Sequence, residues 1–384
     1  MQISLSFPSI PINQVSNFSE LIYQVLSGEL KTDKALEQYF KRNKIQNPSE
    51  KKKLHDYCFL LLYWWLRIQK TFPNETKSTT KLVHFLNESG KIKLDEGEEE
   101  HINLAMPKAF FEKVKSDWPN DYSKILIALN NLPVIYLRVN TLLGFKPDQI
   151  LERLIQAGAK AELSGLVAIK ITNAFNLYSS EIFREGAAEQ QDIASQMVSE
   201  FLNPLPGDRI VDACAGNGGK SLHLAALTQN KGKILSLDIY SRKIEEMRKR
   251  LRKAGVNNVE AKVMDSQKTI KRLYGTFDKV LIDAPCTGSG VYRRNPDAKY
   301  HFSTVMLQNL LIDQEEILNV YSKLAKKGGH VVYATCSVLK DEGENQIVRF
   351  LNNNKSFVLV DEKRIMPYDF DCDGFYMAKL LRVE

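Results

Sequence analysis

At 384 residues, with 43% hydrophobic and 26% charged side chains, the chain is too long for a disulfide-stapled mini-protein and too apolar for extended disorder. The 53 basic and 46 acidic residues leave a formal charge of +7 and a pI near 8.9, a mild bias that suits nucleic acid or an anionic surface and specifies neither. The five cysteines, Cys58, Cys214, Cys286, Cys336 and Cys372, are odd in number, far apart and without CxxC spacing, so neither a disulfide framework nor a metal site is expected.

The opening MQISLSFPSIPINQ lacks the cationic start and apolar core of a secretion signal. The greasiest run, residues 58–66, is about half of the roughly 20 residues a membrane helix needs, so a cytoplasmic protein outside any membrane is expected. From Phe18 to Phe72 apolar residues recur at helical spacing, as in Leu21, Ile22, Val25 and again Leu54, Tyr57, Cys58, Leu61, which predicts an all-helical domain over residues 1–72. The polar bridge FPNETKSTTK and the acidic run 95–101 predict a helical linker region over 73–130. VIYLRVNT (134–141) reads as a strand, KPDQILERLIQAG as a helix ending at Gly158, and LVAIKI (166–171) as a second strand. Together they predict a small α/β domain over 131–185.

Within 186–384 a first helix is stopped by Pro204 and Pro206, and strands then alternate with helices: RIVDA, KILSLD, VEAKVMD, KVLIDAP and HVVYATC, with an antiparallel finish in FVLVDE and FYMAKLLR. Alternation of this kind predicts an α/β fold whose Rossmann-like parallel sheet is covered on both faces. Ligands in such sheets bind beyond the carboxyl ends of the strands, and that is where this sequence collects its polar residues. Asp212 and Cys214 follow the first strand, Asp238 ends the second, Asp265 the third, Asp283 and Cys286 the fourth, and Cys336 the fifth.

The loop CAGNGGKS invites a phosphate reading, but Cys214 stands where a P-loop needs its first glycine, and Gly216, Gly218 and Gly219 are too close together for GxGxxG. Asp238, about 20 residues beyond the glycines, stands where a carboxylate takes the ribose hydroxyls of an adenosine cofactor, and Asp265 can meet the adenine edge. Strand-end aspartates also cap helices, but three in order favour a nucleoside-bearing cofactor. S-adenosylmethionine fits best, having no pyrophosphate to cradle. If the strands ending in DAPC and ATC are neighbours, Cys286 and Cys336 meet beside that cofactor. A thiolate is needed there when the methyl acceptor is C5 of a pyrimidine, because attack at C6 makes C5 nucleophilic. A proton donor must then face N3 and O2, a place for Asp283 with Lys220 adding positive charge.

DACAGNGGKS, SLDIYSRKIEEMRKRLRKAG, DKVLIDAPCTGSGVYRRNPDAK, ATCSVLKDEGENQIV and DGFYMAKL together resemble the Sun/Fmu family of RNA cytosine-5 methyltransferases, from about residue 134 to residue 384. The resemblance implies the class I methyltransferase fold and S-adenosylmethionine as cofactor. It implies Cys336 as the nucleophile, Cys286 as the cysteine that breaks the covalent adduct, and Asp283 and Lys220 around the cytosine. It also implies a cofactor site made by Cys214, Ala215, Gly216, Asn217, Gly218, Gly219 and Lys220 with Asp238, Asp265 and Asp283. One departure is visible: family members commonly carry AAPGGK where this chain has AGNGGK, which touches the loop's conformation. The N-terminal helices are similar to the antiterminator-like RNA-binding domain of rRNA members, so rRNA is the expected partner and a monomer the expected state. A tRNA cytosine-5 methyltransferase and a catalytically idle RNA-binding ribosome-assembly factor are the alternatives. Arg293 and Arg294, following DAPC, are the expected RNA contacts.

Overall fold

The computed structural model describes residues 3–7, 9–73, 78–94, 99–173, 175–264 and 270–384, which divide into two compact units. The first holds residues 1–132 and 291–306. Its longest helix, Pro48–Thr71, starts with proline at the first helical position while the Asn47 side chain accepts from Ser49 N at 2.8 Å, satisfying a backbone donor that helix geometry leaves open. Leu54, Tyr57, Cys58, Leu61, Leu62 and Ile68 form its buried stripe, packed with Phe18, Ile22 and Val25 of the helix Ile12–Leu26. Two features depart from the all-helical expectation for 1–72. Strand β1 (Ile3–Ser6) pairs antiparallel with β2 (Lys91–Leu94), and Leu82, Val83, Leu86, Ile92 and Leu94 share the core of residues 5–68. A single hydrophobic core thus crosses the expected boundary at residue 72.

The segment 291–306 is also a departure, since its sequence position puts it inside the expected methyltransferase domain. Its Lys299 is 1% exposed and donates to Tyr63 O at 2.8 Å, Ala105 O at 2.9 Å and Asn130 Oδ1 at 2.8 Å, three acceptors that make burial of an ammonium tolerable. Burial nevertheless holds its pKa well below the ordinary lysine value. Arg293 is fully buried, its guanidinium donating to Leu132 O at 2.9 Å, which corrects the expectation that it reaches RNA phosphates. Arg294 is half-buried.

The second unit, residues 133–290 and 307–384, contains two sheets. The smaller is antiparallel, with β3 (Ile135–Val139), β4 (Ala161–Leu163), β5 (Ala168–Ile171) and β6 (Ala188–Gln190) in the order β4-β5-β3-β6. Ile150 and Leu154 of the helix Pro147–Gln156 are buried against Leu137 and Ile169. Because β6 pairs with β3, the small domain runs past the expected end at 185.

The larger sheet has seven strands: β7 (Arg209–Asp212), β8 (Lys233–Asp238), β9 (Val259–Val263), β10 (Phe277–Asp283), β11 (Ala325–Thr335), β12 (Phe357–Ile365) and β13 (Phe375–Arg382). The order is β12-β13-β11-β10-β7-β8-β9, in which β13 alone runs against the rest, pairing antiparallel with both β11 and β12. Val211, Leu235, Val280, Ile282 and Val331 pack on one face, while Ile210, Ile234, Leu281 and Val332 pack on the other. Burial on both faces is why these strands read as continuous apolar runs. Among the described residues no helix is long and apolar enough to cross a membrane.

Candidate active site

The chain leaves β7 towards β8 and β9, then returns to place β10 on the other side of β7. Loops beyond β7 and β10 diverge at that reversal and open a crevice at the carboxyl edge of the sheet. The loop after β7 enters it as a tight turn, with Gly216 and Gly218 at φ +55° and +83°. A side chain at 218 is doubly excluded, because a Cβ there would stand 2.4 Å from Met247 Cγ. The helix Gly219–Leu227 starts directly after it, and the AGNGGK departure puts a glycine at 216, where the backbone takes a positive φ. Asp238, at the tip of β8, fastens the loop: Gly216 N donates to its Oδ2 and Tyr240 N to its Oδ1, both at 2.9 Å. Outside the loop, Arg250 donates to Asn217 O at 2.7 Å and Arg138 to Gly219 O at 3.3 Å.

A cavity of about 210 Å³ opens beside this loop, lined by Ala213, Cys214, Asp238, Ile239, Tyr240, Met264, Asp283, Pro285, Ile317 and Tyr321. Its walls are mostly apolar, and the Asp238 carboxylate is placed among them. That donor set fits an adenosine group, with a flat ring between apolar side chains and a diol facing the carboxylate. Asp265, expected here, lies outside the described residues. Ile317 and Tyr321 come from the helix Thr304–Tyr321, which no sequence motif marks. Burial pushes the Cys214 thiol far above its usual range, and the surrounding Asp212, Asp283 and Asp238 add to it, so Cys214 is a wall and not a nucleophile. Among the described residues no group of three or more metal-ligating side chains is assembled.

Beneath the loop, Asp212 is fully buried, with Ser221 Oγ donating to its Oδ2 at 2.6 Å. Burial raises its carboxyl to about 7, the Ser221 bond working against the rise and the Asp283 charge adding to it. The folded protein therefore keeps a proton that the unfolded chain releases near pH 4, so stability falls as pH rises from about 4 to about 7 and is flat above. Asp212→Asn cannot titrate. Relative to wild type it should gain stability across that window, by about 1.4 kcal/mol per pH increment of one. Denaturant midpoints of the two proteins at pH 5 and pH 8 check this; a constant difference would refute it.

On the other side of the crevice, Cys286 follows β10 by three residues and Cys336 follows β11 directly. Because β10 and β11 are hydrogen-bonded neighbours, the two half-buried sulfurs come to 3.4 Å. The Cys286 pKa is pushed well above the thiol range, first by its contact with Cys336, then by burial and by the charges of Cys336 and Glu342. Lys220 reaches the same place from the glycine loop. Its Nζ donates to Asp283 Oδ2 at 2.7 Å and lies 5.2 Å from the centre of the Phe375 ring. Burial works against the Lys220 charge, but Asp283 outweighs it and Cys336 adds to the effect, so the ammonium is held above its ordinary value. Cys286 and Cys336 thus form one pair and Lys220 and Asp283 an ion pair, with Asp283 on the cavity wall. Cys58 and Cys372 are fully buried elsewhere.

The family described as 16S rRNA methyltransferase RsmB/F matches residues 199–381, and the ferredoxin-like domain of RsmF/B-like methyltransferases matches residues 106–178. A probable ribosomal RNA small subunit methyltransferase B of Bacillus subtilis is 32% identical over 264 residues, 64% of this chain and 59% of its own length. The ribosomal RNA small subunit methyltransferase B of Shewanella oneidensis is 33% identical over 301 residues, 74% of this chain and 69% of its own length. The chain thus spans less than two thirds of the Bacillus relative. The crystal structure of a methyltransferase homolog from Pyrococcus horikoshii superposes with a TM-score of 0.65 at 26% identity, covering 73% of this chain and 97% of that one.

Proposed function

Because the chain belongs to the 16S rRNA methyltransferase RsmB/F family, we propose that it transfers a methyl group from S-adenosylmethionine to C5 of a cytosine in RNA, in small-subunit rRNA before tRNA. The observation that carries the reading is the pair of sulfurs 3.4 Å apart at neighbouring strand tips, beside a Lys–Asp ion pair and a cavity fit for adenosine. A methyltransferase acting on an oxygen or an exocyclic amine has no use for two thiols there.

S-adenosylmethionine, when bound, supplies an electrophilic methyl carbon. Asp238 and the loop from Cys214 to Lys220, with Met264, Ile317 and Tyr321, would hold its adenosine portion in the apolar cavity. The Cys336 thiolate would bond to C6 of the cytosine, which moves an electron pair to C5 and negative charge towards N3 and O2; C5 then takes the methyl carbon as that carbon's bond to the sulfonium sulfur breaks, and the remainder leaves as a neutral thioether. Lys220 and Asp283, already paired, meet that charge with an ammonium proton and fix the ring's orientation. Contact with Cys336, and after it burial, pushes the Cys286 thiol up. Cys286 then releases its proton to solvent and takes the one on C5 as the C6–sulfur bond breaks, restoring the aromatic ring and the Cys336 thiolate. The target base must be unstacked to expose C6, so single-stranded or flipped cytosine is the substrate, and Arg294 is a phosphate contact.

The test is incubation of the purified chain with methyl-labelled S-adenosylmethionine and small-subunit rRNA, followed by nucleoside mass spectrometry. Labelled 5-methylcytidine is the expected product. Label on N4 of cytosine, or label only in tRNA, overturns the corresponding part of the proposal, and an absence of transfer to any RNA favours an idle assembly factor.

A further inference from the structure

We infer that Glu342 is a positioning residue that sets the separation of the two cysteines; the inference rests on the thiol chemistry proposed above. The ladder between β10 and β11 ends at the pair Asp283 and Ala334, continued by one bond from Ala284 N to Ala334 O at 2.9 Å. Cys286 and Cys336 lie beyond it, where strand pairing no longer dictates distance. Glu342 takes over there. Its Oε1 accepts from Thr287 N at 2.8 Å and from Gln314 Nε2 at 3.0 Å, and its Oε2 accepts from Thr287 Oγ1 and Ser337 Oγ, both at 2.5 Å. Thr287 is the residue after Cys286, and Ser337 the residue after Cys336. One carboxylate therefore binds both loops, each at the position next to its sulfur.

Two further ties run through the same group. Gln314 Nε2 also donates to Pro285 O at 2.9 Å, so both neighbours of Cys286 are held. Tyr333 OH and Thr335 Oγ1 donate to the backbone oxygen of Glu342, at 3.0 and 3.2 Å, which anchors it to β11. Glu342 is fully buried, and a carboxylate taken out of water is costly unless every lone pair is met. Four donors converging on two oxygens require a group that only accepts; a glutamine would turn N–H groups towards one pair of donors. Mere packing would be served more cheaply by an apolar side chain.

The experiment compares wild type with Glu342→Ala and Glu342→Gln by two readouts. In the first, diamide removes two electrons and two protons from the thiol pair, being reduced to its hydrazine while the Cys286–Cys336 disulfide forms, and mass spectrometry of the linked peptides gives the rate. In the second, steady-state methyl transfer gives kcat and the KM for S-adenosylmethionine. For Glu342→Ala, crosslinking should slow about tenfold and kcat fall about 100-fold, the usual consequence of an ångström of misplacement, with the cofactor KM within about twofold; Glu342→Gln should fall between. A folded Glu342→Ala that crosslinks and turns over like wild type overturns the inference. If that variant does not fold, Glu342→Gln, Thr287→Val and Ser337→Ala each loosen one tie, and unchanged crosslinking in all three overturns it equally. The crosslinking arm uses no RNA. A wild-type chain that crosslinks but methylates no RNA would refute the proposed function and leave the positioning role standing.

Discussion

Cys336→Ser is expected to lower methyl transfer by at least about 1000-fold while leaving affinity for S-adenosylmethionine within about twofold of wild type, as loss of an attacking group does when binding is kept. A serine hydroxyl is smaller and ionises far less readily than a thiol, and as a hard nucleophile it is poor at C6 of a pyrimidine. Cys336 does not line the cavity, whose walls come from the ends of β7, β8, β9 and β10 and from the helices Ser241–Lys253 and Thr304–Tyr321. The substitution should therefore separate chemistry from binding. Single-turnover transfer and calorimetric titration of the cofactor measure the two independently. Normal turnover by the variant would mean that another group attacks the base.

The complementary substitution, Cys286→Ala, should convert the RNA–protein adduct from a trace species to the predominant form of the enzyme in the presence of substrate. In the proposed mechanism attack and methyl transfer need only Cys336, the Lys220–Asp283 pair and the cofactor. Breaking the C6–sulfur bond needs a base at C5, and Cys286, with its sulfur 3.4 Å from that of Cys336, is placed to supply it. Removing it stops the reaction after methylation. A band shift on denaturing gels, abolished by nuclease and by the second substitution Cys336→Ser, reports the trapped species. If Cys286→Ala released methylated RNA at the wild-type rate, the base would lie elsewhere.

Much of the large sheet is legible in the sequence because its central strands β7, β8, β10 and β11 are buried on two faces and announce themselves as apolar runs, with polar or sulfur-bearing residues at or just beyond their carboxyl ends. The start of β11 is not: AKKGG reads as a turn, and Ala325–Gly329 join the strand only through tertiary pairing. The short strands β1, β2, β4 and β6 escape sequence reasoning for a similar reason. Three or four residues such as Ala188-Glu189-Gln190 carry no period, and their partners lie far along the chain. RRNPDAK reads as a solvated basic rim, whereas Arg293 and Lys299 are buried, because the acceptors that admit them are backbone carbonyls and an amide that no motif advertises. Glu342 is hidden in the same way. In LKDEGEN it looks like one acid in a hydrophilic run, and only folding brings Thr287 and Ser337 to it from loops about 50 residues apart.

The insertion of residues 291–306 into the first unit has a consequence for biogenesis. Chains emerge from the ribosome at about 5–20 residues per second, so the helices of residues 1–132 are made on the order of ten seconds before the peptide that carries Lys299. During that interval Ala105 O and Asn130 Oδ1 wait for the ammonium that the folded unit gives them. The amino-terminal unit is thus born first and finished late, its last stitch supplied by the stretch that follows the DAPC loop.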